Sequence, residues 1–241
     1  MPPYKVKLKA QKTLCAGTTA FYFEKPEKFE FQAGQFFNFT LLNPDETDLE
    51  GSTRALSIAS APHEPNLMVA MRLRTSAFKR ALNSLPLETE LLLQGPFGSM
   101  TLPRNTTRPA VLLAGGIGIT PFRSLIWNAA ESFSPRRILL FYSVRVPEEA
   151  AFLEELRDME QYNMRYKFIC TVTQPKRTRM LWRGETGRIS IDLLSKWIPD
   201  VTVPIYYVAG PPGMVTGVRQ MLIGAGIAEE DIRAEEFYGY E

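Results

Sequence analysis

Residues 109–125, Pro109 to Leu125, read PAVLLAGGIGITPFRSL. The apolar run Val111-Leu112-Leu113 has the length and composition of a buried strand. Gly115, Gly116 and Gly118 break it, and Ile119, Thr120 and Pro121 lead into a second apolar stretch. Pro121 suits the start of a helix, where a missing N–H costs nothing. A strand, a glycine turn and a helix N-terminus in succession form a cradle for phosphate. Glycine lets the backbone approach closely, and the free N–H groups and dipole of the helix favour negative charge. The spacing departs from GxGxxG because Pro121 stands where the third glycine would be. By itself the stretch therefore reads equally as a tight connection without a ligand.

The sequence around it favours the cradle. After LPRNTTRP, strand-like and helix-like stretches alternate. AVLLA precedes a predicted helix from about Thr120 to Glu131. RILLFYS precedes one from about Pro147 to Glu160, with Phe152, Leu153 and Leu156 on one face. YKFICTVT, a basic loop, a short helix around ISIDLLSKW, the strand PIYYVAG and a helix through MVTGVRQMLIGAG follow. This rhythm predicts a doubly wound parallel sheet with helices on both faces. A second strand-to-helix turn, YYVAGPPGM, places Gly210, Pro211, Pro212 and Met214 at another strand end. Two such turns share one edge of the sheet, where a nucleotide can lie across both.

The first part of the chain differs. TTAFYFE, GQFFNFTLL, RALSIAS, LMVAMRLR and ELLLQGPFG are short β-rich runs, interrupted by one helix that begins near Ser76. Ser76 is a good N-cap, and Phe78, Ala81, Leu82 and Leu85 recur at helical spacing. Several strands with one helix predict a small antiparallel barrel. The expected division is residues 1–105 for the barrel and 106–241 for the α/β unit, with a hinge near 103–109. Arg54 and Ser57 stand three apart on one predicted strand, so their side chains should face opposite ways. A kink, or a ligand met through both side chain and backbone, reconciles them. Arg54 can pair with phosphate and Ser57 can hydrogen-bond a polar ring edge.

Bulk properties exclude several classes. With 28 Lys+Arg against 26 Asp+Glu, net charge +2 gives no field suited to nucleic acid. No apolar run has membrane-spanning length. MPPYKVKLKA lacks the apolar core of a signal peptide, so a cytoplasmic protein is expected. Cys15 and Cys170 are the two cysteines, too few for an iron–sulfur cluster held by this chain alone. His63 is the single histidine, which removes histidine triads and most histidine-rich metal sites; no metal site is expected. Trp127, Trp182 and Trp197 read as packing residues.

Taken together, these segments resemble the ferredoxin–NADP reductase family of flavoprotein reductases, without a fused iron–sulfur domain. RALS is similar to the Arg-x-Tyr-Ser flavin motif, and GQFFNFTL to the strand before it. TSAFKRAL resembles the diphosphate-binding helix start, and GPFG the turn that ends the flavin barrel. GGIGITP and AGPPGM resemble the two pyridine-nucleotide turns, and EEFYGY the aromatic C-terminal segment.

The resemblance implies a barrel that binds FAD and a parallel-sheet unit that binds NADH or NADPH. Arg54 would pair with the FAD diphosphate, Ser57 would approach flavin N5, and Ser76, Ala77 and Phe78 would take the remaining phosphate oxygens. Ala55 and Leu56, together with Met71, Arg72 and Leu73, belong to the same cofactor-binding set. Gly115, Gly116, Gly118, Ile119, Thr120 and Pro121 would underlie the nicotinamide nucleotide, with Thr120 near the flavin as well. Gly210, Pro211, Pro212 and Met214 would form the far wall, and Phe237 would lie by the flavin. Ser143 and Arg145 would approach the adenosine ribose or a 2′-phosphate. Ser57 and Thr120 are the residues expected at the reacting atoms.

Three departures qualify these roles. Leu56 stands where the family usually has an aromatic residue on the flavin, which removes ring stacking and leaves dispersion. Ala209 stands where several relatives carry a cysteine. Thr173-Gln174 stands where phosphate-selective relatives often have Ser-Arg, although Arg145 and the basic loop QPKRTRMLWRGETGR lean towards phosphate. The implied function is hydride transfer from NAD(P)H to FAD and electron delivery to a separate ferredoxin, flavodoxin or oxygenase component. The alternatives are a flavin, ferric or quinone reductase, and a non-catalytic nucleotide-binding subunit of a redox complex.

Overall fold

The computed structural model describes residues 3–73 and 76–238. Six strands form the first layer: β1 (Tyr4–Cys15), β2 (Thr18–Glu24), β3 (Phe36–Leu41), β4 (Thr53–Ser57), β5 (Asn66–Arg72) and β6 (Glu90–Phe97). They lie in the order β4-β3-β6-β1-β2-β5, with every pair antiparallel. β1 pairs with β6 through Tyr4–Lys7 and with β2 through Leu8–Cys15, with a bulge between Leu8 and Ala10. One strand thus serves two curved halves, as a bulge allows. The Ala59 N–H donates to the Met68 carbonyl at 2.8 Å, which brings the end of β4 onto β5 and closes the barrel.

Alternation explains the barrel's interior. In β1, Val6 and Leu8 are buried while the flanking Lys5 and Lys9 are exposed; in β3, Phe37 and Phe39 point inward. The Phe37 and Phe39 rings are 4.5 Å apart, and Phe23 lies 4.4 Å from Phe39. Helix α1 (Ala77–Ser84) begins where Ser76 Oγ accepts the Lys79 N–H, and it plugs one end with Phe78 and Leu82.

The second layer is a six-stranded parallel sheet. β7 (Ala110–Gly115), β8 (Ile138–Val144), β9 (Tyr166–Val172), β10 (Glu185–Thr186), β11 (Ile205–Gly210) and β12 (Ile232–Glu236) lie in the order β10-β9-β8-β7-β11-β12. The α2 (Thr120–Glu131) and α3 (Leu153–Tyr162) helices cover one face, around Leu112, Leu140 and Leu156. The α4 (Ile191–Ser195) and α5 (Pro212–Gly224) helices cover the other, around Val111, Leu113 and Leu222. Coverage on both faces is why β7 and β11 are buried at every residue. The chain runs outward from β7 to β9 and returns on the other side of β7 at β11. The strand order therefore reverses between β7 and β11, where parallel sheets open a crevice for ligands. None of the helices among the described residues is long and apolar enough to cross a membrane.

Differences from the sequence reading are local. The run YKVKLKAQKTLC forms the longest strand of the barrel, absent from the expected set because its alternating lysines have the look of a solvated segment. β12 is a further addition, because IRAEE has the composition of a surface segment. The helix expected from Pro147 splits: Pro147–Glu149 is a 3-10 turn, Phe152 adopts φ +60°, and α3 starts at Leu153. β4 ends at Ser57, short of the expected IAS. Two residues of the basic loop, Glu185 and Thr186, add β10 to the sheet edge.

At the central turn, Gly116–Ile119 form a 3-10 helix that leads directly into α2. Gly116 takes φ +53°, a left-handed conformation that glycine adopts without penalty. A Cβ on Gly118 would lie 2.2 Å from the Ala209 carbonyl oxygen and 2.6 Å from the Gly210 nitrogen. Both are backbone atoms of the adjacent strand, so neither can give way cheaply. Gly118→Ala is expected to destabilise the fold by about 3 kcal/mol, the upper end for overpacking. A lowered denaturant midpoint at unchanged m-value checks this; an unchanged midpoint contradicts the close approach.

Candidate functional site

Two cavities meet at the central turn. The first, about 800 Å3, opens between β4, β5, the start of α1 and the segment after β12. It gathers Arg54, Ala55, Leu56, Ser57, Met71, Ser76, Phe78, Thr120 and Phe237 from the expected set. Arg54 and Ser57 reach one cavity despite their separation because β4 is the end strand of its layer, hydrogen-bonded along one side by β3. Its open edge admits a ligand to both pleat directions. Thr120 is buried, and its Oγ1 donates to the Ile117 carbonyl at 3.1 Å, so the hydroxyl is engaged in the turn itself.

Arg54 is heavily engaged. Its Nη1 donates to the carbonyls of Glu50, Gly51 and Thr53, its Nη2 to Asp48 at 2.6 Å, and its Nε faces Glu50 at 2.9 Å. The guanidinium lies 5.1 Å over the Phe78 ring. Donation from Arg54 holds the Asp48 carboxyl below the usual carboxylate range, with N–H groups of Glu50 and Ala77 adding to the effect.

The second cavity, about 640 Å3, lies over the strand ends of the sheet. Gly115, Gly116, Pro211 and Met214 line it near β7 and β11; Ser143, Arg145 and Thr173 line it near β8 and β9. A Cβ on Gly116 would meet nothing within 4 Å, so this residue faces open space, as a backbone phosphate cradle requires. Arg72 also lines this second cavity, where it pairs with Glu149 at 2.9 Å. Ile117 belongs to both cavities, so a ligand in either meets the same wall.

Several expected residues line neither cavity. Leu73 donates its N–H to the Gly17 carbonyl, and Ala77 is buried at the α1 start. Gly118, Ile119 and Pro121 are packed into the fold, and a Cβ on Gly210 would lie 3.1 Å from the Gly115 backbone. Pro212 opens α5 outside the cavity lining. Of the segments quoted for the resemblance, Thr75, Gly239 and Tyr240 lie outside the described residues.

The structure adds residues that the sequence reading did not single out. Glu235 lines the first cavity, and burial pushes its carboxyl up to about 7. Arg188 joins Arg145 in the second cavity, and neither has an ion-pair partner among the described residues. Glu235 was visible within EEFYGY and Arg188 within the basic loop, but spacing alone gave no reason to prefer them. Asp48 and Glu50 carry no sequence signal beyond loop composition.

Residues 112–220 match the family model described as the oxidoreductase NAD-binding domain. One subunit of the Na(+)-translocating NADH-quinone reductase of Yersinia enterocolitica is 27% identical over 232 residues, which are 90% of this chain and 56% of that protein. Its Methylococcus capsulatus counterpart is 29% identical over 202 residues, 77% of this chain and 49% of its own. The chain thus spans about half the length of these relatives. In fold, it superposes on a ferredoxin NADP+ reductase from Neisseria gonorrhoeae with bound FAD and NADP. That match has TM-score 0.82 and 22% identity, and covers 98% of this chain and 99% of the other. The FAD/NAD-binding domain of nitric oxide dioxygenase from Vibrio cholerae gives TM-score 0.83 at 16% identity, over 98% and 99%. A barrel joined to a parallel sheet, with strand order reversing beside a glycine turn, is the fold this chain shares with those FAD- and NAD(P)-binding reductase structures, and residues 112–220 carry the sequence signature of the oxidoreductase NAD-binding domain.

Proposed function

We propose that this chain is an FAD-dependent NAD(P)H oxidoreductase that delivers electrons to a separate carrier. The observation that carries the reading is the shared wall: Ile117 lines both cavities, so a flavin in the first and a nicotinamide nucleotide in the second meet there. Both volumes suit cofactor sites. FAD held in the first cavity would supply the hydride acceptor and the one-electron release, and the protein's part is alignment and exclusion of water. Arg54 and the α1 N-terminus would hold the flavin diphosphate. Ser57 on the open edge of β4 would meet the flavin ring, and Leu56 and Phe237 would cover it. Gly115, Gly116 and Arg72 would hold the nucleotide pyrophosphate, with Pro211 and Met214 opposite. Ser143, Arg145 and Arg188 would meet the adenosine end.

The relatives are named as parts of a multi-subunit quinone reductase, which supports a partner protein as the electron acceptor. An anaerobic visible spectrum of the purified protein tests the reading. Flavin absorbance that bleaches on addition of NADPH or NADH is expected. A protein that takes up no FAD would leave a nucleotide-binding component as the better description.

Donor choice has its own test. Arg145 and Arg188, without carboxylate partners among the described residues, favour a 2′-phosphate. Arg145→Ala should raise the KM for NADPH about tenfold, the value of one charged hydrogen bond, and leave that for NADH nearly unchanged. Equal effects on both nucleotides would remove the phosphate contact.

Glu235 sets a pH dependence. Its carboxyl, displaced from 4.5 to about 7 by burial, is neutral below that pH and ionised above it. Incoming hydride brings negative charge into the same cavity, so the rate of flavin reduction should fall as pH rises through about 7. Between 4.5 and about 7 the folded carboxyl retains a proton that the unfolded one has lost. Stability should therefore decline across that window. Glu235→Gln should flatten both profiles; a rate profile unchanged in the variant assigns the inflection elsewhere.

A further inference from the structure

The segment between β3 and β4 carries four carboxylates, Asp45, Glu46, Asp48 and Glu50. Three of them turn back onto the barrel. Asp48 accepts Arg54 Nη2 at 2.6 Å and also the N–H of Ala77, the first residue of α1. Glu50 lies 2.9 Å from Nε of the same guanidinium. Glu46 receives Arg80 on both oxygens, at 2.8 and 2.7 Å. Every nitrogen of the Arg54 guanidinium is thus engaged, and its side chain is only 16% exposed. Arg54 and the α1 N-terminus are the two groups to which the proposed function assigns the flavin diphosphate.

We propose that Asp48 is a tethered carboxylate surrogate of that diphosphate, which FAD must displace, and that Asp48 thereby sets how tightly FAD is held. The proposal rests on the flavin reading of the first cavity. A diphosphate brought to Arg54 beside Asp48 and Glu50 would gather negative charge around one guanidinium, so the carboxylates must withdraw. Being on the same chain, Asp48 competes at a high effective concentration. Withdrawal costs little burial, because Leu49 between the two carboxylates is fully exposed and anchors nothing. The ring-binding part of the cavity, along the β4 edge with Met71 and Phe237, contains neither Asp48 nor its partners at α1. Flavins without a diphosphate are therefore indifferent to the competition.

Fluorescence titrations of FAD and of riboflavin into the full chain stripped of flavin test this, in the wild type and in Asp48→Asn. The variant should bind FAD about tenfold more tightly, the value of one charged hydrogen bond. Its riboflavin affinity should not change. FAD affinity equal to or weaker than wild type, with riboflavin affinity intact, overturns the proposal and leaves the flavin site standing. If Asp48→Asn binds neither flavin, Glu50→Gln carries the test, because it removes the exposed second carboxylate and leaves the α1 contact in place. Tighter FAD binding in that variant supports the surrogate; unchanged or weaker binding overturns it. A wild-type protein that binds neither flavin removes the flavin reading and the proposal with it.

Discussion

Arg54→Ala is expected to weaken FAD binding by about 2–5 kcal/mol, the range for truncating one partner of a desolvated charge pair. Two losses add. The first is the cation that faces the diphosphate. The second is the restraint on the surrounding turn, since Nη1 is bound by the carbonyls of Glu50, Gly51 and Thr53 at 3.0, 2.8 and 2.9 Å. Asp48 and Glu50 would then remain beside the site with no counter-charge. Arg54→Lys keeps the charge but cannot reproduce the planar fork, so it should recover only part of the loss. Riboflavin titrated in parallel separates diphosphate binding from general damage. Unchanged FAD affinity in Arg54→Ala would take Arg54 out of the site. The effects of Arg54→Ala and Asp48→Asn should not add in the double variant, because each alters the partner of the other.

The parts of this molecule that were legible in the sequence are those governed by local rules. The β7 run, the glycine turn and the α2 start could be read from residues 110–131, because burial on both faces makes a strand uniformly apolar and a helix start needs its own residue types. The second turn at Gly210 to Met214 was readable for the same reason. β1 was missed although its alternation is regular, because lysines at every other position read as a solvated segment. β12 was missed because an edge strand of a parallel sheet needs few apolar residues. In the site, the residues of one stretch, such as Ala55 to Ser57, were found together. Contacts that depend on pairing across the chain were not. Nothing local tells that Asp48 folds back on Arg54, that Glu235 is half-buried in the first cavity, or that Arg188 joins Arg145. Gly118 and Gly210 illustrate the opposite error: their lack of a side chain serves strand and turn packing, while Gly116 faces the cavity.

A last case of pairing across the chain is Arg123, which joins the barrel to the sheet. It lies on α2 soon after the shared turn and is 6% exposed. Its Nη1 donates to the Ala59 carbonyl at 2.8 Å and to Glu64 at 2.8 Å, both in the segment between β4 and β5. Its Nε lies 2.7 Å from Glu155 on α3, and its guanidinium packs against the rings of Trp127 and Phe152. The neighbouring Ser124 Oγ donates to the Ser60 carbonyl at 2.7 Å. Arg123 therefore ties the β4–β5 segment and α3 to the helix that follows the turn carrying Ile117 and Thr120. Arg123→Ala should destabilise the fold by about 3–5 kcal/mol, because it strands Glu64 and Glu155 in a partly desolvated place. Neutralising both glutamates while filling the space, in Arg123→Met with Glu64→Gln and Glu155→Gln, should recover most of that loss. If the triple variant stays as unstable as Arg123→Ala, the cost lies in packing rather than in stranded charge. The functional readout is separate: flavin reduction by NAD(P)H should slow more than FAD affinity falls, because Arg54 and the α1 start, which would hold the diphosphate, lie within the barrel whereas alignment depends on the joint. Equal losses in both would mean that Arg123 supports the barrel alone.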